Sequence, residues 1–520
     1  MMKKESRPLF LVLLAVVQLL VLLGPSELRA AETAKGDDDA EKKAPLEETE
    51  SVTHHSITID GARIAYTSTA GTLLLKNEEG ETQASIFYVA HIKDEVGDPA
   101  TRPLTFSFNG GPGSAAVWVQ LGAFGPKKIL ADPEGMPMPP PGKLVTNPYS
   151  VLDVTDLVFI DPVSTGYSRP ASEEDGKKFH SLRGDIESVG EFIRLWTTRN
   201  QRWASPKFIA GESYGTTRSA GLALHLQERH GMYLNGLVMI SSILNWQNQE
   251  MHPGNDTAFA IHLPSYAATA WYHGKLPPEL SGDLRATLDE VEAFAIGDYA
   301  AALIQGDWLP AEERKEIAER VARYTGLSQD YVERTNLRIA IWRFVKELLR
   351  DEGKTVGRLD TRFTGFDRDS AGERFEFDPA SEAVNVGYVT MLNDHLRRDL
   401  GYETDLPYRS SARLWRDWTW DDNENRYVNV AEDLRQAMTR NPELRVLFTS
   451  GYYDLATPYF DTPFSVAHLG LPEELRDNVS IAYYEAGHMM YIREVDHAKF
   501  KKDVADFIRL ASAPATSVEH

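Results

Sequence analysis

The chain contains the stretch Phe208-Ile209-Ala210-Gly211-Glu212-Ser213-Tyr214-Gly215, followed by a run from Thr216 to Arg229 whose composition suits a helix. A buried strand that passes through Gly-x-Ser-x-Gly into a helix is the pattern of a nucleophile elbow, in which a tight turn pushes a serine oxygen outward. The flanking glycines permit the strained backbone that this turn needs. Ser213 is therefore the predicted nucleophile, and the positive end of the following helix would face developing negative charge.

Two residues later in the chain could complete the chemistry of this serine. A serine hydroxyl is a poor nucleophile at neutral pH, so it needs a base and an acid that orients the base. In folds with this elbow they follow in the order Ser, Asp or Glu, His. Asp454 and His488 each come a few residues after a predicted strand. We therefore predict Ser213, Asp454 and His488 as a catalytic triad, with Glu485 as the alternative acid.

A glycine-rich loop supplies the third part of the predicted site. A buried strand ending at Phe108 runs into Asn109-Gly110-Gly111-Pro112-Gly113. Because glycines let backbone N–H groups approach a substrate oxygen closely, such a loop builds an oxyanion hole together with the N–H that follows the nucleophile. The loop does not fit a phosphate cradle, since no Lys-Ser or Lys-Thr follows it.

Buried strands alternate with helical patterns around these motifs. The predicted strands are Leu104–Phe108, Leu157–Ile160, Lys207–Ala210, Leu237–Ile240, Arg445–Thr449 and Val479–Tyr483. This alternation predicts an α/β protein with a mostly parallel central sheet flanked by helices, and ligands bind beyond the carboxyl ends of such strands. With the elbow, it indicates an α/β-hydrolase fold. Short alternating runs from Ser56 to about His91 predict an antiparallel sheet ahead of it.

The alternation of strands and helices stops between residues 245 and 427. Helical patterns there cover Pro278–Ile296, Leu309–Tyr324 and Leu337–Leu349. We interpret residues 245–427 as an inserted, mainly helical cap. It divides the hydrolase core into a first part, residues 54–244, and a second part, residues 428–520.

The N-terminal segment has the layout of a targeting sequence. Residues 1–30 begin with basic residues, continue with an apolar run from Leu9 to Leu23 and end in small residues. This predicts a secretory signal peptide. The run is shorter than the ~20 residues that span a bilayer, and an uncleaved anchor is the alternative. Residues 31–53 are acidic and predict a disordered tether. We therefore expect an exported protein, periplasmic or secreted from a bacterium, with no stable membrane anchor after cleavage.

Composition excludes several classes of function. The 520-residue chain has 55 Lys and Arg against 77 Asp and Glu, a net charge of -22, and no cysteine. A surface this acidic repels phosphate, so nucleic acid is not an expected partner. Without cysteine there is no disulfide, thiolate metal site or thiol nucleophile. No His-Glu-x-x-His or similar ligand spacing occurs, and we predict neither a metal nor a cofactor. The sequence makes no prediction of oligomeric state.

Four motifs, in the same order along the chain, resemble those of the serine carboxypeptidase family. They are Asn109–Gly113, Val158–Ser168, Gly211–Tyr214 and Gly487–Met489. The resemblance implies an α/β-hydrolase fold and a serine-type hydrolase that removes residues from peptide C-termini through an acyl-enzyme. The implied partner is a peptide substrate with a free C-terminus.

The resemblance also implies roles for four further groups. It implies that the N–H groups of Gly111 and Tyr214 form the oxyanion hole. It implies that Asn109 and Glu212 hydrogen-bond the free α-carboxylate of the substrate. A carboxyl group that faces another carboxylate must be protonated, so we expect a raised pKa for Glu212. Peptide cleavage is then expected to be strongest at acidic pH.

The chain departs from the family pattern at three places. The usual cysteine of the glycine-rich loop is Ser114, and the disulfides of many secreted members are missing. The second glutamate of the family's first loop corresponds to Ala123, and Gly215–Arg218 resembles aminopeptidase-type hydrolases as much as carboxypeptidases. An aminopeptidase, an esterase or an acyltransferase on the same fold is therefore an alternative. A catalytically silent binding module is another.

Overall fold

The computed structural model describes residues 46–420, 423 and 425–513. The predicted signal peptide and the first part of the predicted tether lie outside the described residues. The predicted end of the tether at residue 53 is wrong, because the first strand begins at Glu50, which pairs with Gly71 of the next strand. Just before it, the N–H of Thr49 donates to the hydroxyl of Thr72. Residues 50–53 are therefore ordered by hydrogen bonds to the next strand, although their polar composition is typical of a disordered segment.

Strands form one large sheet and two small ribbons in the described part of the chain. They are β1 Glu50–Ile59, β2 Ala62–Lys76, β3 Thr82–Lys93, β4 Leu104–Phe108, β5 Lys127–Ile129, β6 Leu144–Thr146, β7 Asp156–Ile160, β8 Arg169–Pro170, β9 Lys207–Glu212, β10 Gly236–Ile240, β11 Thr355–Val356, β12 Thr364–Gly365, β13 Arg445–Gly451 and β14 Val479–Tyr484. The large sheet has the order β1-β2-β3-β7-β4-β9-β10-β13-β14, with β8 paired to β3. From β7 to β14 all neighbours are parallel, which confirms the predicted fold class.

Helices cover both faces of this sheet. They are α1 Glu173–Phe179, α2 Leu182–Arg199, α3 Tyr214–His230, α4 Thr257–Tyr272, α5 Leu284–Phe294, α6 Ala300–Gln305, α7 Ala311–Thr325, α8 Gln329–Arg334, α9 Ile341–Glu347, α10 Pro379–Arg398, α11 Ala431–Arg440, α12 Asp461–Ala467, α13 Glu473–Arg476 and α14 Glu494–Ser512. Within the described ranges, no helix is both long and apolar enough to cross a membrane.

The apolar side chains of the central strands alternate between two cores. In β9, Phe208 and Ala210 pack with α14 on one face, whereas Ile209 packs with α2, α3 and α11 on the other. Both faces of the parallel strands are therefore buried, as a continuous apolar run predicts. The central polar groups of the site, from Glu212 at the end of β9 to the loops of Asp454 and His488, lie at the carboxyl ends of the strands.

The segment between β10 and β13 forms its own core and also packs on the sheet. Its helices α4 to α9 share a hydrophobic cluster with Tyr453 and Tyr459, which follow β13. Helix α10 instead belongs to the core that contains α14. The segment leaves and rejoins the sheet at one point, where Trp246 N–H donates to Val428 C=O at 2.9 Å. Only part of the insertion is thus a separate layer.

Candidate active site

Ser213 lies in a tight turn between β9 and α3. Its φ is 61° and its ψ is -130°, a conformation that side-chain-bearing residues rarely adopt. The turn is held by its neighbours, since Ser213 N–H donates to the carbonyl of Ile240 at 2.9 Å. A Cβ on Gly211 would lie 2.4 Å from the carbonyl oxygen of Gly215, so residue 211 must be glycine for the turn to close. The sequence folds here into the predicted elbow.

The glycine-rich loop after β4 packs directly on this elbow. A Cβ on Gly110 would lie 2.5 Å from the backbone nitrogens of both Tyr214 and Gly215. Gly111 follows with a φ of 107°, which also favours glycine. The two predicted oxyanion donors, the N–H groups of Gly111 and Tyr214, therefore belong to backbone segments that are in contact.

The inserted segment closes over the glycine-rich loop. Ala115 N–H donates to Ser410 C=O at 3.0 Å, and Ala412 N–H donates to Gly113 C=O at 2.8 Å. Further on, the ring of Trp418 packs edge-on against Tyr214, with ring centroids 5.4 Å apart. The walls around the elbow thus come partly from the insertion.

His488 and Asp454 form a buried pair. The Nδ1 of His488 lies 2.7 Å from an Asp454 oxygen, and both side chains are almost fully buried. That carboxylate also accepts hydrogen bonds from Ala456 N–H at 2.7 Å and from the Thr457 hydroxyl at 2.5 Å. The side chain of Glu485, the alternative acid, is 60% exposed. The structure therefore pairs His488 with Asp454.

The end of β10 joins the serine turn to the histidine loop. The carbonyl of Ile240 accepts the N–H of Ser213, and the hydroxyl of the next residue, Ser241, donates to the carbonyl of His488 at 2.7 Å. Adjacent residues of one strand end thus bind both loops. The structure therefore holds the turn of Ser213 and the loop of His488, which is paired with Asp454, against one strand end at the carboxyl edge of the sheet.

The surroundings of His488 raise its pKa. Burial alone lowers the pKa of this imidazole, but the charge and hydrogen bond of Asp454, with the charge of Glu212, outweigh burial. A protonated imidazole is therefore stabilised at this position. A base of this kind can take a proton from a serine hydroxyl, provided that it starts neutral.

Glu212 is a buried carboxyl group beside the nucleophile. Its two oxygens accept hydrogen bonds from the side-chain amide of Asn109 at 2.7 Å and from the hydroxyl of Tyr491 at 2.6 Å. Burial raises the pKa of Glu212, while the charge of His488 and the two hydrogen bonds act in the opposite direction and are outweighed. The direction agrees with the sequence-based expectation, although burial is the cause here.

Two tyrosines near Glu212 were missed by sequence reasoning. Tyr491 lies three residues after His488, a proximity that could have drawn attention to it, whereas Tyr388 comes from the insertion and has no spacing relation to any motif. A Cβ on Gly122 would lie 2.4 Å from the Tyr491 ring and 2.8 Å from the Tyr388 hydroxyl. The next residue is Ala123, at which the resemblance noted above implies a glutamate. Both tyrosines also line a cleft.

Comparisons with known proteins agree on one family. A family model described as serine carboxypeptidase matches residues 65–500. Serine carboxypeptidase-like 22 of Arabidopsis thaliana is 21% identical over 427 residues, 80% of each chain. Serine carboxypeptidase-like 16 of the same plant is 31% identical over 135 residues, which cover 26% of this chain and 29% of that protein.

The fold has a counterpart among solved structures. The prohormone-processing carboxypeptidase Kex1(Δ)p from Saccharomyces cerevisiae matches with a TM-score of 0.50 at 14% identity. The match covers 85% of this chain and 92% of that one. At this level of identity the likeness supports the architecture of the sheet and its helices.

Replacing the elbow serine tests its reactivity. We expect a fluorophosphonate probe to label the protein covalently and Ser213→Ala to abolish the labelling, because the probe needs a serine activated by a base. Ser107→Ala is the matched control, since Ser107 is another buried serine, on β4, and its hydroxyl has no hydrogen-bond partner. Labelling is read by mass spectrometry. Persistence of the label in Ser213→Ala would show that another residue is the nucleophile.

Proposed function

The chain belongs to the serine carboxypeptidase family, and from this premise we propose that it hydrolyses the last peptide bond of peptides with a free C-terminus. The observation that carries the proposal is the buried Glu212 carboxyl, held by Asn109 and Tyr491 next to the elbow. A carboxyl kept neutral by burial can donate a hydrogen bond to a carboxylate. A simple ester or an internal peptide bond has no free α-carboxylate next to the reacting carbonyl.

The proposed reaction proceeds through an acyl-enzyme. Ser213 attacks the carbonyl of the last peptide bond, and its proton passes to the Nε2 of His488, whose Nδ1–H is held by Asp454. The N–H groups of Gly111 and Tyr214 stabilise the tetrahedral oxyanion. His488 then protonates the departing amine as the C–N bond breaks. Water, deprotonated by His488, attacks the acyl group, and His488 returns that proton to the Ser213 oxygen as the acyl–oxygen bond breaks and the shortened peptide leaves.

Substrates that differ only at the C-terminus test the proposal. We expect an N-blocked dipeptide acid to be cleaved with a kcat/KM about ten- to a hundredfold above that of its C-terminal amide, because the amide loses a charge-assisted hydrogen bond. Steady-state kinetics on the pair measure this ratio. If the amide or a simple ester is the better substrate, an esterase or acyltransferase is favoured, and cleavage that requires a free N-terminus indicates an aminopeptidase.

Two groups with opposite protonation requirements set the expected pH profile. His488 must be neutral to act as a base, so activity rises as the pH rises through its pKa. Glu212 must be protonated to bind the substrate carboxylate, so activity falls as the pH rises through its pKa. Both pKa values are raised, by Asp454 and by burial respectively. For a peptide acid, a plot of activity against pH should therefore be bell-shaped, with an acidic limb set by His488 and an alkaline limb set by Glu212. For a peptide amide, only the acidic limb should appear.

The variant Glu212→Gln separates the two limbs. We expect the alkaline decline of kcat/KM for the peptide acid to disappear, because glutamine stays neutral at every pH. The acidic limb should remain, because glutamine leaves His488 paired with Asp454. Activity measured from pH 4 to 9 follows both limbs.

The matched variant for this experiment is Tyr491→Phe. The hydrogen bond from Tyr491 lowers the pKa of Glu212, so its removal should move the alkaline limb to higher pH without abolishing it. An unchanged profile in Glu212→Gln would contradict the role that we assign to Glu212.

We also propose that the chain acts after export, in the periplasm or outside a bacterial cell. Support comes from the basic start, the apolar run and the small residues at the end of residues 1–30. The mature protein should begin near residue 31, which N-terminal sequencing of protein from the producing cells measures. Recovery of a chain that begins at Met1 would contradict cleavage.

A further inference from the structure

A hairpin of the inserted segment reaches the two loops that carry His488 and Asp454. Strands β11 and β12 form this hairpin, and residues 357–363 form its loop, here called the hairpin loop. His488 N–H donates to Leu359 C=O of the loop at 2.7 Å, and Leu455 N–H donates to Arg358 C=O at 3.0 Å. In the other direction, the N–H of Thr361 in the loop donates to Tyr453 C=O at 3.0 Å. The backbone of the hairpin loop is thus hydrogen-bonded to His488 itself and to the residues on either side of Asp454.

Asp360 lies at the centre of the hairpin loop. Its carboxylate accepts the N–H of Gly487 at 3.1 Å and pairs with the guanidinium of Arg362 at 2.7 Å, and both charged side chains are buried. A Cβ on Gly487 would lie 2.4 Å from the Cβ of Asp360, so the two backbones approach as closely as glycine allows. Arg362 fixes the carboxylate, and the carboxylate fixes the residue directly before His488.

The hairpin loop is also fixed to helices of the insertion. The N–H groups of Arg358 and Leu359 donate to the two carboxylate oxygens of Asp378, at the start of α10, at 3.0 and 3.1 Å. On the other side, the carbonyl of Thr361 lies 2.7 Å from the Nε2 of His273, just after α4. The loop therefore cannot shift without moving both helices.

We propose that Asp360 is a positioning residue for His488, acting through the N–H of Gly487, and that the hairpin loop ties the geometry of the triad to the insertion. The proposal rests on the proposed function, because it assumes that His488 is the base. A base must hold its nitrogen within hydrogen-bond reach of the serine oxygen, and a misplacement of about 1 Å costs up to about a hundredfold in rate. The carboxylate of Asp360 is bonded to Gly487 and Arg362, so we expect it to act on the rate through the position of His488.

Replacing Asp360 in the full chain tests the proposal. We expect Asp360→Ala to lower kcat and the rate of fluorophosphonate labelling about ten- to a hundredfold, with KM nearly unchanged, because the loop positions the base. Asp360→Asn keeps one oxygen that can accept the N–H of Gly487 but loses the charge that pairs with Arg362. Its labelling rate should fall between those of wild type and Asp360→Ala.

Asp367→Ala is the matched control. Asp367 is another buried acid of the insertion, paired with Lys346 at 2.5 Å and bonded to Thr355 in the stem of the same hairpin. Breaking either buried pair destabilises the protein. A merely structural role for Asp360 therefore predicts that both alanine variants lose stability and that their labelling rates per folded molecule do not differ. Labelling rates are compared at equal folded fraction, measured by circular dichroism.

The labelling comparison decides the role of Asp360. A labelling rate at the wild-type level in both Asp360 variants would overturn the proposal, as would an equal loss in Asp367→Ala. The probe contains no peptide, so the outcome is distinct from a failure of the proposed function. That failure would appear as a protein that labels at Ser213 but releases no C-terminal residue.

Discussion

The positive φ of Ser213 is the constraint on which the rest of the site depends. A serine in this conformation carries strain of about 1–3 kcal/mol, which persists only where the surroundings over-determine it. Here the turn is bonded to Ile240, crossed by Gly110 and closed by the contact of Gly211 with Gly215. The ends of β4, β9 and β10 must therefore lie at fixed distances before the serine can point outward. The pairing of β4, β9 and β10, which are far apart in the sequence, is therefore needed to expose the serine hydroxyl.

Two carboxyl groups near one imidazole are given different tasks by their surroundings. Asp454 accepts two backbone N–H groups and a hydroxyl besides His488, so its negative charge is well solvated by the protein. Glu212 has only a side-chain amide and a phenol, and burial dominates its pKa. Because the charges of Glu212 and His488 interact, a proton gained by one changes the pKa of the other, and the two titrate as a coupled pair. The apparent pKa values of the pH profile for peptide cleavage then describe the pair and not either group alone.

The sequence predicted the parallel strands well because each is a short apolar run that ends in a motif. The strand Leu104–Phe108 was predicted with its observed bounds, since both of its faces are buried and the glycine-rich loop marks its end. Residues that act through tertiary contacts were not predicted. The two-residue strands of the β11–β12 hairpin carry no periodicity, and Tyr388 and Asp360 are distant in sequence from the loops that they touch. The order of residues 50–53 was likewise missed, because strand pairing and not composition decides it.

In this chain without cysteine, apolar packing and polar contacts have different roles in attaching the insertion to the core. The apolar cluster of α4 to α9 holds the insertion on the residues after β13, but hydrophobic contact is non-directional and does not fix a register. Buried ion pairs contribute little net stability, since their desolvation offsets their attraction, yet they tolerate few geometries. The Asp360–Arg362 pair lies where the insertion meets Gly487 and His488. The cluster can therefore supply the stability of the insertion, while a few directional contacts in the hairpin loop set its position against the base.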